Sequence, residues 1–387
     1  MLERPQSGEL ALLVHICFNK YESEEIIKEF QQLALAAGAK PMALILGRQR
    51  QINVKYFIGT GKLEELSAAL LLHPAKLVLF NHDLLPAQER NLEQKLHCRV
   101  LGRTGLILDI FAQRARSFEG KLQVKLAQLE HLSTRLIRGW THLERQRGGI
   151  GLRGPGETQL ETDKRLIRQQ IKTIKKRLAK VRLQRALSQR ARQKSQLAHI
   201  SLIGYTNTGK STLFNRLSKS RVLVANQPFA TLDPSIRRMP LSNGKIAILA
   251  DTVGFIRQLP HHLVIAFAAT LEETQQANLL LHIVDATNTA KLECHQAVAS
   301  VLKQIKTDHI PQLLIYNKID QLEDTPPRLE RNAAGLPVKV WLSAQSGLGI
   351  DLLQQAIVEW LTYHTIQRPK SHPIDSHPIE LLAQIRA

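Results

Sequence analysis

Gly204-Tyr205-Thr206-Asn207-Thr208-Gly209-Lys210-Ser211 stands directly after the apolar run Ile200-Ser201-Leu202-Ile203. A short strand that feeds a glycine-rich turn and then a helix points successive backbone N–H groups inward, where they cradle phosphates. Lys210 brings positive charge to those phosphates, Ser211 offers a hydroxyl to Mg²⁺, and Thr212 follows in the first helical turn. The stretch predicts a nucleoside triphosphate site on an α/β sheet.

The base is specified further along. Leu313-Leu314-Ile315-Tyr316 reads as another strand and runs into Asn317-Lys318-Ile319-Asp320, which places the motif at a strand's carboxyl end, where doubly wound sheets bind ligands. A carboxylate at Asp320 accepts hydrogen bonds from both N1–H and the 2-amino group of guanine. Adenine has neither donor, so it would leave the carboxylate unpaired. Beyond Val340-Trp341-Leu342, the small residues Ser343, Ala344 and Gln345 suit backbone contacts to the base.

Magnesium and switch elements lie between these motifs. The run Ile246 to Ala250 reads as a strand that ends at Asp251, the first residue of Asp251-Thr252-Val253-Gly254-Phe255. Asp251 and Ser211 are predicted metal ligands, with Thr231 of Phe229-Ala230-Thr231-Leu232-Asp233-Pro234 as the third. Lys210, Thr231 and the Gly254 N–H are the predicted catalytic groups, because each senses the γ-phosphate or its metal. Phe255 stands where many small GTPases carry a glutamine that orients water, and its ring has no donor or acceptor. Intrinsic turnover is therefore expected to be low, efficient turnover needing a partner that orders the switches or supplies a polar group; the alternative is that Phe255 only packs. Asp233 and His262 are polar groups near the switches with no spacing that assigns them a role.

The chain has 387 residues, 43% of them hydrophobic, which suits two or three folded domains. Cys17, Cys98 and Cys294 form neither a pair motif nor a metal-ligand spacing. No apolar run reaches the length needed to span a bilayer and no secretory leader is evident, so the expectation is a cytoplasmic protein.

Charge is unevenly placed. Residues 114–194 carry 22 Lys or Arg against 6 Asp or Glu, an excess that accounts for most of the net +20 of the whole chain. A basic block just ahead of a nucleotide switch suggests an arm that grips a phosphate backbone. Leu122, Leu126, Leu129, Ser133 and Leu136 make one helical stripe, and Leu160, Ile167, Ile171, Ile174, Leu178 and Val181 a second, so an antiparallel hairpin is predicted. Between them, residues 148–156 contain five glycines and a proline, which end both helices in a loop. Arg145, Arg147 and Arg153, with Gly149, Gly151, Gly154 and Gly156 permitting close approach, are the predicted RNA contacts. Phe118 and Trp140 are the segment's only aromatics, which favours shape and backbone recognition of folded RNA over base stacking. A solvated coiled coil and a second phosphate loop are the competing readings.

The first hundred residues read as compact α/β. Strands are predicted at Leu10 to Phe18, Met42 to Leu46, Leu77 to Phe80 and Leu106 to Phe111, alternating with helices at Glu22 to Ala37, Lys62 to Leu72 and Ala87 to Leu96. Gly59-Thr60-Gly61-Lys62 lacks the spacing of a full phosphate loop and reads as a helix start, with weak nucleotide or RNA binding as the alternative.

The GTPase motifs resemble those of the translation-factor-related GTPases, and the whole chain resembles the HflX family of ribosome-associated GTPases. The residues that carry the resemblance are Arg147-Gly148-Gly149-Ile150-Gly151-Leu152-Arg153-Gly154-Pro155-Gly156-Glu157-Thr158-Gln159-Leu160-Glu161 with Asp163 and Arg165, Phe57 to Lys62, Phe111 to Ala115, Asn226 to Asp233, and Phe267 to Glu273. Gly102 departs from the family, which commonly has aspartate before the arginine that is Arg103 here. The resemblance implies an N-terminal α/β domain over residues 1–112, a basic helical hairpin with a glycine-rich tip over 113–196, a P-loop GTPase domain with a mostly parallel sheet over 197–363, and a tail over 364–387. It further implies GTP and GDP as ligands, Mg²⁺ as cofactor, and the large ribosomal subunit with its RNA as partner. The implied activity is ribosome-stimulated GTP hydrolysis coupled to separation of 70S ribosomes into subunits, by a protein expected to be monomeric in solution. A GTP-dependent assembly or dormancy factor and a nucleotide-regulated RNA-remodelling protein are the alternatives.

Overall fold

The computed structural model describes residues 8–18, 24–136, 155–194, 197–220, 227–257, 263 and 273–367. The N-terminal part is a four-stranded parallel sheet in the order β2-β1-β3-β4, built from β1 (Leu10–Cys17), β2 (Lys40–Arg48), β3 (Leu77–Phe80) and β4 (Arg99–Leu101). Residues 11–16 of β1 and all of β3 are buried, as strands covered on both faces must be. Leu12, Val14, Val78 and Phe80 pack in one cluster with Leu63 and Leu66 of α2 (Thr60–Leu72) and Leu92 of α3 (Pro86–Leu96). On the other face Ala11, Leu13, Leu77 and Leu79 meet Phe30 and Leu33 of α1 (Glu24–Ala36).

One predicted strand is a helix. Leu106 to Phe111 lies inside α4 (Arg103–Arg114), and the fourth strand is instead the three-residue β4. Leu106, Ile107, Leu108, Ile110 and Phe111 are all buried, so the helix is apolar nearly all round and shows no 3.6-residue stripe to distinguish it from a buried strand. Gly102 is its N-cap and offers no side-chain cap; a Cβ there would lie 3.0 Å from the His82 carbonyl oxygen.

α5 (Phe118–Leu136) and α6 (Pro155–Lys194) form the basic arm. Glu119 pairs with Arg185 at 3.0 Å and Glu130 with Lys175 at 2.9 Å, a register that rises on one helix as it falls on the other, so the pair is antiparallel. Leu122, Ile174 and Leu178 form its buried seam, flanked by Leu126 and Leu129. Arg135, near the end of α5, forks onto Glu89 of α3, with Nε donating at 2.8 Å.

The second sheet has seven strands in the order β10-β11-β9-β8-β5-β7-β6. β5 (Ala198–Gly204), β7 (Ile246–Asp251), β8 (Leu279–Asp285), β9 (Gln312–Asn317) and β11 (Pro337–Trp341) are parallel; the edge strands β6 (Ser235–Pro240) and β10 (Arg328–Arg331) are antiparallel. α7 (Lys210–Ser218) and α9 (Ile350–Gln367) bury Phe214, Leu217, Leu353 and Ile357 against one face. On the other, α8 (Lys291–Gln304) contributes Val298 and Leu302 to the same apolar cluster that holds Phe30, Phe111, Phe229 and Phe255. The two sheets thus share one apolar cluster, and each keeps a further cluster of its own. Among the described residues, no helix is long and apolar enough to cross a membrane.

Candidate nucleotide site

β5 delivers the chain to Gly204, and the loop reaches α7 through Gly209 at φ +90°, a conformation that favours glycine. A Cβ at Gly209 would also run into the Asn317 amide. The loop borders a cavity of about 430 Å³. Thr206, Asn207, Gly209, Lys210, Ser211 and Thr212 line it from the phosphate loop, Phe229, Ala230, Thr231, Thr252 and Gly254 from the switches, and Asn317, Lys318, Asp320, Ala344 and Gln345 from the base motifs.

The other residues expected at the site lie behind this lining. Gly204 ends β5, Val253 is in the core, and the Thr208 hydroxyl donates to the Tyr205 carbonyl oxygen at 3.0 Å. The Tyr205 ring points away from the cavity: its hydroxyl donates to Glu29 of α1 and accepts the Arg257 N–H at 2.6 Å. Burial raises that phenol far above its usual range, with the Glu29 charge adding to the effect. Ser343 is buried, its hydroxyl accepting the Ser346 N–H at 3.0 Å.

The three expected metal ligands converge. The Ser211 hydroxyl donates to Asp251 Oδ2 at 2.7 Å, Thr231 Oγ1 donates to the same oxygen at 3.2 Å, and the two hydroxyls are 2.8 Å apart. Asp251 is fully buried and, among the described residues, its Oδ1 has no hydrogen-bond partner. Burial pushes its carboxyl pKa up, opposed by Ser211, the Lys210 charge and Thr231. A carboxylate with a free buried oxygen beside two hydroxyls fits Mg²⁺, which binds through one or two carboxylates and substrate phosphates. Lys210 is buried too, donating to the Tyr205 carbonyl oxygen at 2.5 Å; desolvation brings its ammonium pKa down to about 8 against the pull of Asp251.

Asn317 lines the cavity and also bonds to the loops on either side of it. Its amide donates to the Thr208 carbonyl oxygen and its oxygen accepts the Ala344 N–H, both at 2.8 Å, so it ties the phosphate loop to the base loop. Lys318 pairs with Asp285 at 2.6 Å. Sequence reasoning missed Gln227 and Gln321, which line the cavity, and Arg216, which holds the base loop through the Ala344 and Gln345 carbonyl oxygens at 2.8 and 2.5 Å. Arg216 and Gln321 stand in no spaced motif that marks them, and Gln227 is not singled out within the 226–233 stretch. Phe255 is 1% exposed and its backbone pairs with that of Gly204 and Thr206, so its ring packs in the core and offers nothing to water.

The predicted tip residues Arg145, Arg147, Gly149, Gly151, Arg153 and Gly154 lie outside the described residues, as does His262; Gly156 falls in the first turn of α6.

Three family models match in succession: GTP-binding GTPase N-terminal over residues 24–112, GTP-binding GTPase Middle Region over 114–192, and 50S ribosome-binding GTPase over 199–318. The GTPase HflX of Escherichia coli (strain K12) is 54% identical over 95% of this chain and 88% of its own. The GTPase HflX of Magnetococcus marinus is 45% identical over 91% of this chain and 82% of its own. Among solved structures, the SsGBP and GDP complex aligns over 92% of this chain and 99% of that one, with a TM-score of 0.51 and 24% identity, a likeness of fold.

Proposed function

The chain belongs to the HflX family of GTPases and hydrolyses GTP, and on that premise we propose that it binds the large ribosomal subunit and separates 70S ribosomes into subunits. The observation that carries the reading is the pairing of a basic helical arm with a nucleotide switch in one framework, α5 beginning beside the Thr231 segment. GTP occupies the cavity, its phosphates on the loop 204–211 and Lys210, its base between Asp320 and the Ala344–Gln345 backbone. Mg²⁺ held by Ser211, Thr231 and Asp251 supplies charge neutralisation at the phosphate oxygens. Thr231 and Gly254 hold the closed switches while the γ-phosphate is present, and the arm is then set to enter the subunit interface.

Phe255 cannot orient an attacking water, so the ribosome completes the site and stimulates hydrolysis, which resets the factor. Arg145, Arg147 and Arg153 at the tip contact the RNA backbone. Sucrose gradients of 70S ribosomes with the protein and GTP, a non-hydrolysable analogue or GDP test the proposal, beside turnover with and without ribosomes. Triphosphate-dependent conversion to subunits is expected. Intact 70S peaks, or equal splitting with GDP and the analogue, would overturn it, and large-subunit binding without splitting would indicate assembly or dormancy.

A further inference from the structure

Asp233 lies two residues after Thr231 and touches neither the cavity nor the expected metal ligands. Its carboxylate is spent on the root of the arm. Oδ2 accepts the Arg116 and Ser117 N–H groups at 2.8 and 2.7 Å, and Oδ1 accepts the Ser117 hydroxyl at 2.5 Å. Ser117 in turn accepts the Gly120 N–H at 2.9 Å, so the first turn of α5 is capped by Ser117 and, through it, by a carboxylate borrowed from the switch. Gly120 is the residue that makes room: a Cβ there would collide with Asp233 Oδ1.

The rest of the segment is gripped on the same side. Arg114 donates to Gln227 Oε1 at 2.5 Å, and the Phe111 and Phe229 rings meet edge to face with centroids 4.6 Å apart. Gln227, Phe229 and Thr231 meanwhile line the nucleotide cavity. Residues 227–233 therefore form a short strap with the nucleotide on one side and the α4–α5 junction on the other. A displacement of the first turn of α5 must be taken up either by breaking charge-assisted hydrogen bonds or by moving Thr231.

We propose that Asp233 is the positioning residue that couples the arm to GTP hydrolysis: it fixes the first turn of α5 to the switch, so that load on the arm sets Thr231 and the γ-phosphate state sets the arm. Coupling of this kind is reciprocal for binding and spans about 5- to 150-fold. Its extension to ribosome-stimulated turnover rests on the reading given above.

The full-length protein tests it with two independent readouts. The first is amide hydrogen exchange over residues 117–123 in GDP and in a non-hydrolysable GTP analogue. Wild type is expected to differ between the two by at least about fivefold in exchange rate, and Asp233→Ala to abolish the difference. The second is GTP turnover against ribosome concentration. Asp233→Ala is expected to lose about tenfold or more in stimulated kcat with little change in the ribosome KM, and Asp233→Asn, which keeps an acceptor oxygen, to recover part of it. Gly120→Ala, on the arm and outside the cavity, is expected to bind GDP as wild type does and yet show the same kcat loss; the double variant should be no worse than either single one. A nucleotide-independent exchange rate in wild type, or unchanged stimulated kcat in both Asp233→Ala and Gly120→Ala, overturns the proposal. Absence of any ribosome stimulation in wild type overturns the functional reading instead, and the exchange experiment still decides the coupling.

Discussion

Asn317 donates its side-chain amide to the Thr208 carbonyl oxygen at 2.8 Å, and so fastens the end of β9 to the phosphate loop. Because its oxygen also holds the Ala344 N–H, removing the side chain strands two backbone groups in a buried position. Each costs about 1–3 kcal/mol when left unpaired. Asn317→Ala is therefore expected to weaken GDP binding by about 10-fold to 100-fold or more, read by titration with a fluorescent GDP. A loss below threefold would mean that the loops hold their places without the tie.

What was legible in the chain follows from how local each signal is. The phosphate loop and the Asn317–Asp320 motif each sit directly behind a strand, so the parallel sheet could be read from short windows. Leu106 to Phe111 misled because a helix buried on all sides carries no period, and burial is a tertiary property. Asn317 and Asp233 were visible as polar residues near the right elements. Their actual partners, Thr208 and Ser117, stand 109 and 116 positions away, and no window of sequence connects them. The edge strands β6 and β10 gave no warning either, since half-exposed strands such as Ser235–Pro240 have mixed composition.

Asp320 lines the cavity together with Ala344 and Gln345, and we propose its carboxylate as the acceptor for the two guanine donors. Asp320→Asn exchanges one acceptor oxygen for an amide donor. Guanine's 2-amino group then faces a donor, whereas the 2-oxo group of xanthine finds one. GTP affinity should fall by roughly 30-fold or more, about 2 kcal/mol for a hydrogen bond to a charged group, and xanthosine triphosphate should bind better than GTP. Competition between the two nucleotides checks it, and retained guanine preference would remove Asp320 from base recognition.

Gly254 approaches the phosphate loop so closely that a Cβ would lie 2.9 Å from the Thr206 Cα, the Thr206 Cγ2 and the Lys210 Nζ. The lysine end can move, but the Thr206 backbone cannot without dragging the loop. Gly254→Ala should hold the switch segment off the γ-phosphate position, cutting turnover by about 10²-fold, the scale of losing one oriented N–H donor. GDP, which makes no γ-phosphate contact, should bind with much less change. Turnover measured beside separate GDP and GTP-analogue titrations distinguishes this from general misfolding, which would weaken both nucleotides together.

His282 on β8 is buried and stacked on His295 with ring centroids 4.9 Å apart. Desolvation, aided by His295 and Lys210 and opposed by its hydrogen bond to Gln312, takes its pKa down to about 4 from 6.5. The unfolded chain gains this proton as pH falls through 6.5, while the folded chain refuses it until about 4. Stability is therefore lost across that window and is flat below it, by about 3 kcal/mol for a shift of this size. The raised carboxyls of Asp251 and Glu89 act in the opposite sense, since the folded state takes up their protons first, so the informative quantity is a difference between proteins. His282→Phe keeps a ring against His295 and removes the proton site. Denaturant unfolding at pH 7 and pH 4.5 should show the variant losing less stability on acidification than wild type, by about 2–3 kcal/mol. Parallel losses in the two proteins would show that His282 is protonated without cost in the folded state.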